Sequence, residues 1–253
     1  MKLRLLLAAL VLLALAGCES LSYYSQAIGG QLSLLSRARP IDDWLADPST
    51  PDELRARLEL AKRVRAFASN ALALPDNASY HSYAALDREY VVWNVYAAAE
   101  LAVTPKQECF PIAGCVSYRG FFSEQAARKH AEGLRAQGYD VYVAGVAAYS
   151  TLGWFDDPLL STFIRYSDTQ LARLVFHELA HQKVYAKNDT VFNESFAVVV
   201  EEEGVRRWLD TQGRGAELEA FHASQARRRE FAQRVKEARE RPAYRKFVDI
   251  PLS

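Results

Sequence analysis

The sequence has three cysteines, one methionine and no excess of charge, since 31 Lys and Arg balance 31 Asp and Glu. That balance leaves no basic footprint for nucleic acid and no strong pull toward an acidic membrane surface. No internal repeat and no low-complexity linker breaks the chain. The longest apolar run, Leu5 to Ala16, falls short of the roughly twenty residues that span a bilayer. What is present is ordinary globular composition: 50% of the 253 residues are apolar and 25% charged. The length suits one large domain or two small ones, and function has to be read from local sites.

The apolar run follows Met1-Lys2-Leu3-Arg4 and ends in Leu15-Ala16-Gly17-Cys18. A basic start, an apolar stretch and small residues before a cut define a secretory leader over residues 1–17. Leu-Ala-Gly-Cys resembles a bacterial lipobox, which implies cleavage before Cys18 and acylation there. Several acyl chains on one residue hold a protein stably on a membrane. Glu19 follows the cysteine, where an Asp would resemble an inner-membrane retention signal. The expected location is therefore the outer membrane, facing the periplasm. Export puts Cys109 and Cys115 in an oxidising compartment. Pro111 and Gly114 let the chain turn back between them, so a small disulfide loop is expected. Five residues intervene, which rules out a CxxC metal site.

Helical patterning covers residues 18–75: Leu21 to Ala38, Pro40 to Ala46, and a helix opened by Thr50-Pro51-Asp52-Glu53 that runs to about Asn70. In that opening Thr50 is expected as the cap, with Glu53 closing a capping box. Leu54, Leu58, Ala61, Val64 and Ala68 form one apolar stripe. Residues 76–166 read as a small α/β layer, with strands over Tyr90–Ala98, Cys115–Phe122 and Tyr139–Tyr149 and a helix over Ser123–Gln137. An apolar loop, Ser150 to Ser161, closes it. Residues 167–253 read as three helices: one from the capping box Ser167-Asp168-Thr169-Gln170 to Tyr185, then Val191–Asp210 and Ala216–Glu240.

The chemistry sits in Val175-Phe176-His177-Glu178-Leu179-Ala180-His181. Two histidines four apart share one side of a helix and can reach one zinc ion. Glu178, beside the first, can act as general base on a zinc-activated water. Apolar neighbours surround the trio, where an unpaired His-Glu-His set would be expensive to desolvate. Catalytic zinc takes three protein ligands. Asn188-Asp189 breaks the helix, and Glu194 falls about one turn into the returning one. A short helical hairpin brings its carboxylate back to His181, making His177, His181 and Glu194 the expected ligands.

His177-Glu-Leu-Ala-His-Gln182 followed by Phe192-Asn-Glu-Ser-Phe-Ala197 resembles the gluzincin metallopeptidases. With Tyr149-Ser-Thr-Leu-Gly-Trp-Phe-Asp-Asp-Pro158 and the Cys109 to Gly120 stretch, the tandem is similar to the bacterial lipoproteins grouped as "putative aminopeptidase", up to about Leu209. The resemblance implies a zincin-like α+β fold, mostly helical, with a small sheet beside the HExxH helix. It also implies a peptide substrate and aminopeptidase action. Gluzincins often carry a histidine-orienting carboxylate four residues after the ligand Glu. Here that position is Val198, and Glu201, one turn on, is the substitute. Tyr149, Tyr118, Arg119 and Tyr185 are candidate oxyanion donors. Asp156, Asp157 and Glu201 to Glu203 are candidate holders of a free amine. The rival reading is a lipoprotein that uses the metal only as a structural staple.

Overall fold

The structure is a computed structural model and describes residues 23–102, 104–110 and 114–240. The expected leader over residues 1–17 and the expected acylation site at Cys18 therefore lie outside the described residues. The architecture is mostly helical α+β. Residues 23–36 form α1, and α2 (Ile41–Ala46) follows the two-residue strand β1 (Arg39–Pro40). Helix α3 (Asp52–Leu72) buries Leu58, Ala61, Val64 and Ala68, the apolar stripe spaced at helical period. It starts differently from the capping-box expectation. Pro51 takes the cap position with no side-chain bond, and Thr50 Oγ1 instead donates to Trp44 O at 2.6 Å. The carbonyl at the end of α2 claimed the hydroxyl first.

The central pair is α5 (Asp168–Lys183) and α6 (Thr190–Thr211). Ser167 caps α5 by accepting from Gln170 N, and Leu171, Ala172, Val175, Phe176, Leu179 and Ala180 are fully buried along one side. These join the α3 stripe and Val205 and Leu209 of α6 in one core. Gly204 lets α6 come close: a Cβ there would sit 2.7 Å from Phe176 Cδ2 and 2.8 Å from Leu72 Cδ1. The last described helix, α7 (Gly215–Glu240), adds Phe221 to the core.

A second cluster forms on the sheet. Strand β3 (Val92–Ala99) pairs antiparallel with β6 (Arg119–Phe121) and with β7 (Tyr139–Val146). Alternation puts Trp93, Val95, Ala97 and Phe121 on one face, packed against Ala127, Ala131 and Leu134 of α4 (Glu124–Ala136). Ser123 caps α4, and Gly138 ends it at φ +86°. The expected strand Cys115–Phe122 is two strands. Its first part, β5 (Gly114–Val116), pairs with β4 (Glu108–Phe110), whereas β6 pairs with β3. The chain changes partner at Ser117-Tyr118, so the ladder must break there. Cys109 and Cys115 face each other across β4 and β5 and are joined as a disulfide. The apolar loop also carries a strand, β8 (Leu159–Leu160), parallel to β2 (Ser82–Ala84).

Candidate metal centre

Helix α5 has two faces. One is the buried apolar side. The other carries Arg173, His177 and His181 at four-residue spacing, with Glu178 beside them. The chain reverses between α5 and α6 through Asn188, held at φ +65°, and Asp189 caps α6 by accepting from Phe192 N at 2.9 Å. Buried Asn193 fixes the return: it accepts from Ala186 N at 2.7 Å and donates to Ala186 O at 2.8 Å. Glu194 is the next residue, and the reversal delivers its carboxylate to the two imidazoles.

The three groups converge. His177 Nε2 lies 3.1 Å from His181 Nε2. Glu194 Oε2 lies 3.5 Å from His177 Nε2, and Oε1 lies 3.7 Å from His181 Nε2. One atom from each residue could hold a common cation. Behind the cluster, His177 Nδ1 meets Glu201 Oε2 at 2.8 Å, and Arg173 Nε donates to Glu201 Oε1 at 2.6 Å. Glu201 thus fixes which His177 nitrogen faces Glu194. Arg173, four residues before His177, was not singled out in the sequence, although i,i+4 spacing puts it on the histidine face.

Electrostatics follow the geometry. Burial pulls His177 down, but its bonds to Glu194 and Glu201 override that and raise it to about 9. Burial, then the His177 charge, lowers His181. The His177 bond holds Glu194 below the ordinary carboxylate range, against its partial burial. Glu178 is raised to about 7, chiefly by burial, with Asp157, Glu194 and Glu201 pushing the same way and His177 opposing. Such a carboxyl can both accept and release a proton near neutral pH. A cleft of about 230 Å³ opens beside it, lined by Tyr166, Arg173 and Leu174 among others.

The weaker candidates separate. Tyr149 packs edge-on against Phe122, and Arg119 stacks over Tyr23 at 4.2 Å on the α4 side of the sheet. Burial raises the Tyr118 phenol, followed by Tyr96, Glu194, Tyr185 and Glu178, so it lies within electrostatic reach of the cluster. Most of the proposed amine holders are already engaged. Asp157 is buried and accepts from Thr151 N, Thr151 Oγ1 and Ser150 Oγ. Glu201 is bound as above, Glu202 pairs with Arg229, and Glu203 pairs with Arg206 and Arg207. Asp156 is exposed. Tyr80, absent from the sequence reading, is 2% exposed and left-handed at φ +65°. Its phenol is raised well above the ordinary range by burial and then by Glu178 and Asp157. No periodicity marks it, because its position depends on Arg65, whose buried guanidinium bonds the carbonyls of Pro75, Asn77 and Ser79.

A family model described as "Putative aminopeptidase" matches residues 22–246, most of the chain and well past Leu209. No curated protein and no solved structure matches the chain.

Proposed function

The chain belongs to the putative aminopeptidase family, and from that membership and the geometry of the His177, His181 and Glu194 cluster we propose that it is a zinc-dependent peptidase. The observation that carries the reading is the spacing of the three ligand groups. Zinc bonds of about 2.0–2.2 Å in tetrahedral array put ligand atoms roughly 3.3–3.6 Å apart. The separations here are 3.1, 3.5 and 3.7 Å. The donor set, two imidazoles and a carboxylate, suits a catalytic site that keeps one position for water. A structural staple is normally closed by four protein ligands, and Cys109 and Cys115 are spent on each other.

When bound, zinc supplies Lewis acidity that acidifies water and polarises a peptide carbonyl. Glu178 takes the proton from the attacking water onto its carboxylate and passes it to the leaving amine nitrogen. Its burial, which raises it to about 7, suits both transfers. Glu201 holds the His177 ring from behind, and Arg173 holds Glu201. Action at free amino termini is the finer part of the proposal and rests on the family. Export and lipid anchoring at Cys18, at the periplasmic face of the outer membrane, rest on the leader and lipobox pattern. Among the described residues no helix is long and apolar enough to cross a membrane.

The test compares wild type with Glu178→Gln. Both should bind one zinc by elemental analysis. Wild type should cleave a mixed peptide library, lose activity to a chelator and regain it with zinc. The variant should be slower by about 10²–10⁴-fold, as for loss of a general base. N-acetylating the library should abolish cleavage if free amino termini are required. Equal, metal-independent turnover by both proteins would end the enzyme reading.

A further inference from the structure

The sheet β6-β3-β7 has two unlike faces. Trp93, Val95 and Ala97 point into the α4 cluster. By alternation Asn94 and Tyr96 point to the other side, where the register sets Tyr96 directly opposite Tyr142 on β7. At the inner end of that side Val92 and Val146 pack on the main core. Farther out, nothing comparable among the described residues covers it: Tyr142 is 68% exposed and Tyr96 half-buried. Tyr118, at the break between β5 and β6, is 38% exposed and continues the row. The ring of Tyr96 lies 5.5 Å from Tyr118 and 6.4 Å from Tyr142.

The Tyr118 end of the row lies within electrostatic reach of the His177, His181 and Glu194 cluster. The ionisable neighbours felt by the Tyr118 phenol, after Tyr96, are Glu194, Tyr185 and Glu178. Three neighbouring tyrosine rings, two exposed and one half-buried, form an amphipathic surface with little rotamer entropy to lose on binding. A solvated strand face with no ligand would more economically carry charged or small polar side chains.

Building on the peptidase reading, we propose that Tyr118, Tyr96 and Tyr142 form a substrate ledge. It takes a large apolar or aromatic side chain of a peptide that extends from the metal centre over the open face of the sheet. The ledge is then a determinant of which peptides are held, separate from the groups that break the bond.

The experiment is calorimetric binding to the zinc-loaded full chain carrying Glu178→Gln. The ligands are glycine–serine hexapeptides with a single Phe moved along the chain, together with the Phe-free parent. At least one Phe position should bind about tenfold tighter than the parent, the worth of one buried aromatic contact. That gain should vanish when Tyr96→Ser or Tyr142→Ser is added. Tyr142 is exposed, so its removal leaves the fold standing. If no Phe position improves on the parent, or the gain survives both tyrosine changes, the ledge is overturned. Substrate held by backbone pairing alone would give that result. Hydrolysis of the same peptides by wild type tests the other reading separately. Tyrosine-dependent binding without cleavage keeps the ledge and removes the peptidase. Cleavage with no preference for Phe does the reverse.

Discussion

Glu194 and Glu201 stand about two turns apart on α6 and live in opposite surroundings. Glu201 is 2% exposed, and both of its oxygens are engaged at short range by Arg173 and His177. Glu194 is 56% exposed on its side chain, and its oxygens stand off the imidazoles at 3.5 and 3.7 Å. One carboxylate is satisfied by protein. The other is held at a distance that leaves room for an ion between it and the rings. A buried carboxylate without partners would be costly, so Glu201 requires its clamp. Glu194, wetted by solvent, tolerates incompleteness. On the zinc reading the two regions divide the work: Glu201 builds the cluster, and Glu194 would complete it around the ion.

The sharpest way to break this comparison is Glu194→Ala. Zinc affinity, measured against a competing chelator, should fall by more than the roughly 10–100-fold seen when a residue that only supports a ligand is lost. Peptide hydrolysis should fall with it. The zinc-free protein should lose less thermal stability than in Glu201→Gln, because the Glu194 side chain that pairs with His177 is 56% exposed. Unchanged zinc affinity would remove Glu194 from the ligand set.

Glu201→Gln should act on both properties, more weakly on the first. Glutamine keeps the shape but offers one acceptor, and its amide would face either the Arg173 guanidinium or the His177 ring. Zinc affinity and turnover should each drop about 10–100-fold. The zinc-free protein should also melt lower, because Arg173 loses its partner. A melting temperature equal to wild type would show that Glu201 does not build the cluster.

The two helices and the convergence of His177, His181 and Glu194 were legible because each depends on local rules. Four-residue spacing aligns His177 with His181, Ser167 caps α5, and Asn188-Asp189 turns the chain. The stripe Leu58, Ala61, Val64 and Ala68 reads at helical period and is buried as read. What was hidden depends on distant partners. Arg65 shapes the loop that brings Tyr80 toward Glu178, with no pattern in the residues between them. Residues Cys115 to Phe122 look like one strand because Val116, Tyr118, Phe121 and Phe122 favour extended backbone, yet they pair with two different neighbours and break. Thr50 has the right type to cap α3, but Trp44 O takes its hydroxyl. The tyrosine row needs the register between β3 and β7, which no single strand encodes.

A third carboxylate supplies the control, with the smallest expected effect. Asp168, at the start of α5, is clamped like Glu201 by guanidiniums, Arg57 Nη1 at 2.6 Å and Arg214 Nη1 at 3.1 Å, but it touches no imidazole. Asp168→Asn should leave zinc affinity alone and reduce stability by about 1 kcal/mol, a modest value because all three side chains are partly solvated. Burial pushes the Asp168 carboxyl up, but the two arginines outweigh it and hold it below its ordinary value. A depressed folded value means that the stabilisation is complete above the unfolded value of about 3.9. It is lost as pH falls through the folded value. Chemical denaturation of wild type and variant across acidic pH should show a difference that is flat from neutrality to about pH 5 and then shrinks. A difference that instead grew on acidification would mean that the clamp disfavours the ionised carboxylate. A loss of zinc affinity matching that of Glu201→Gln would mean that any arginine-held carboxylate on these helices supports the metal centre, and contact with His177 would lose its special place.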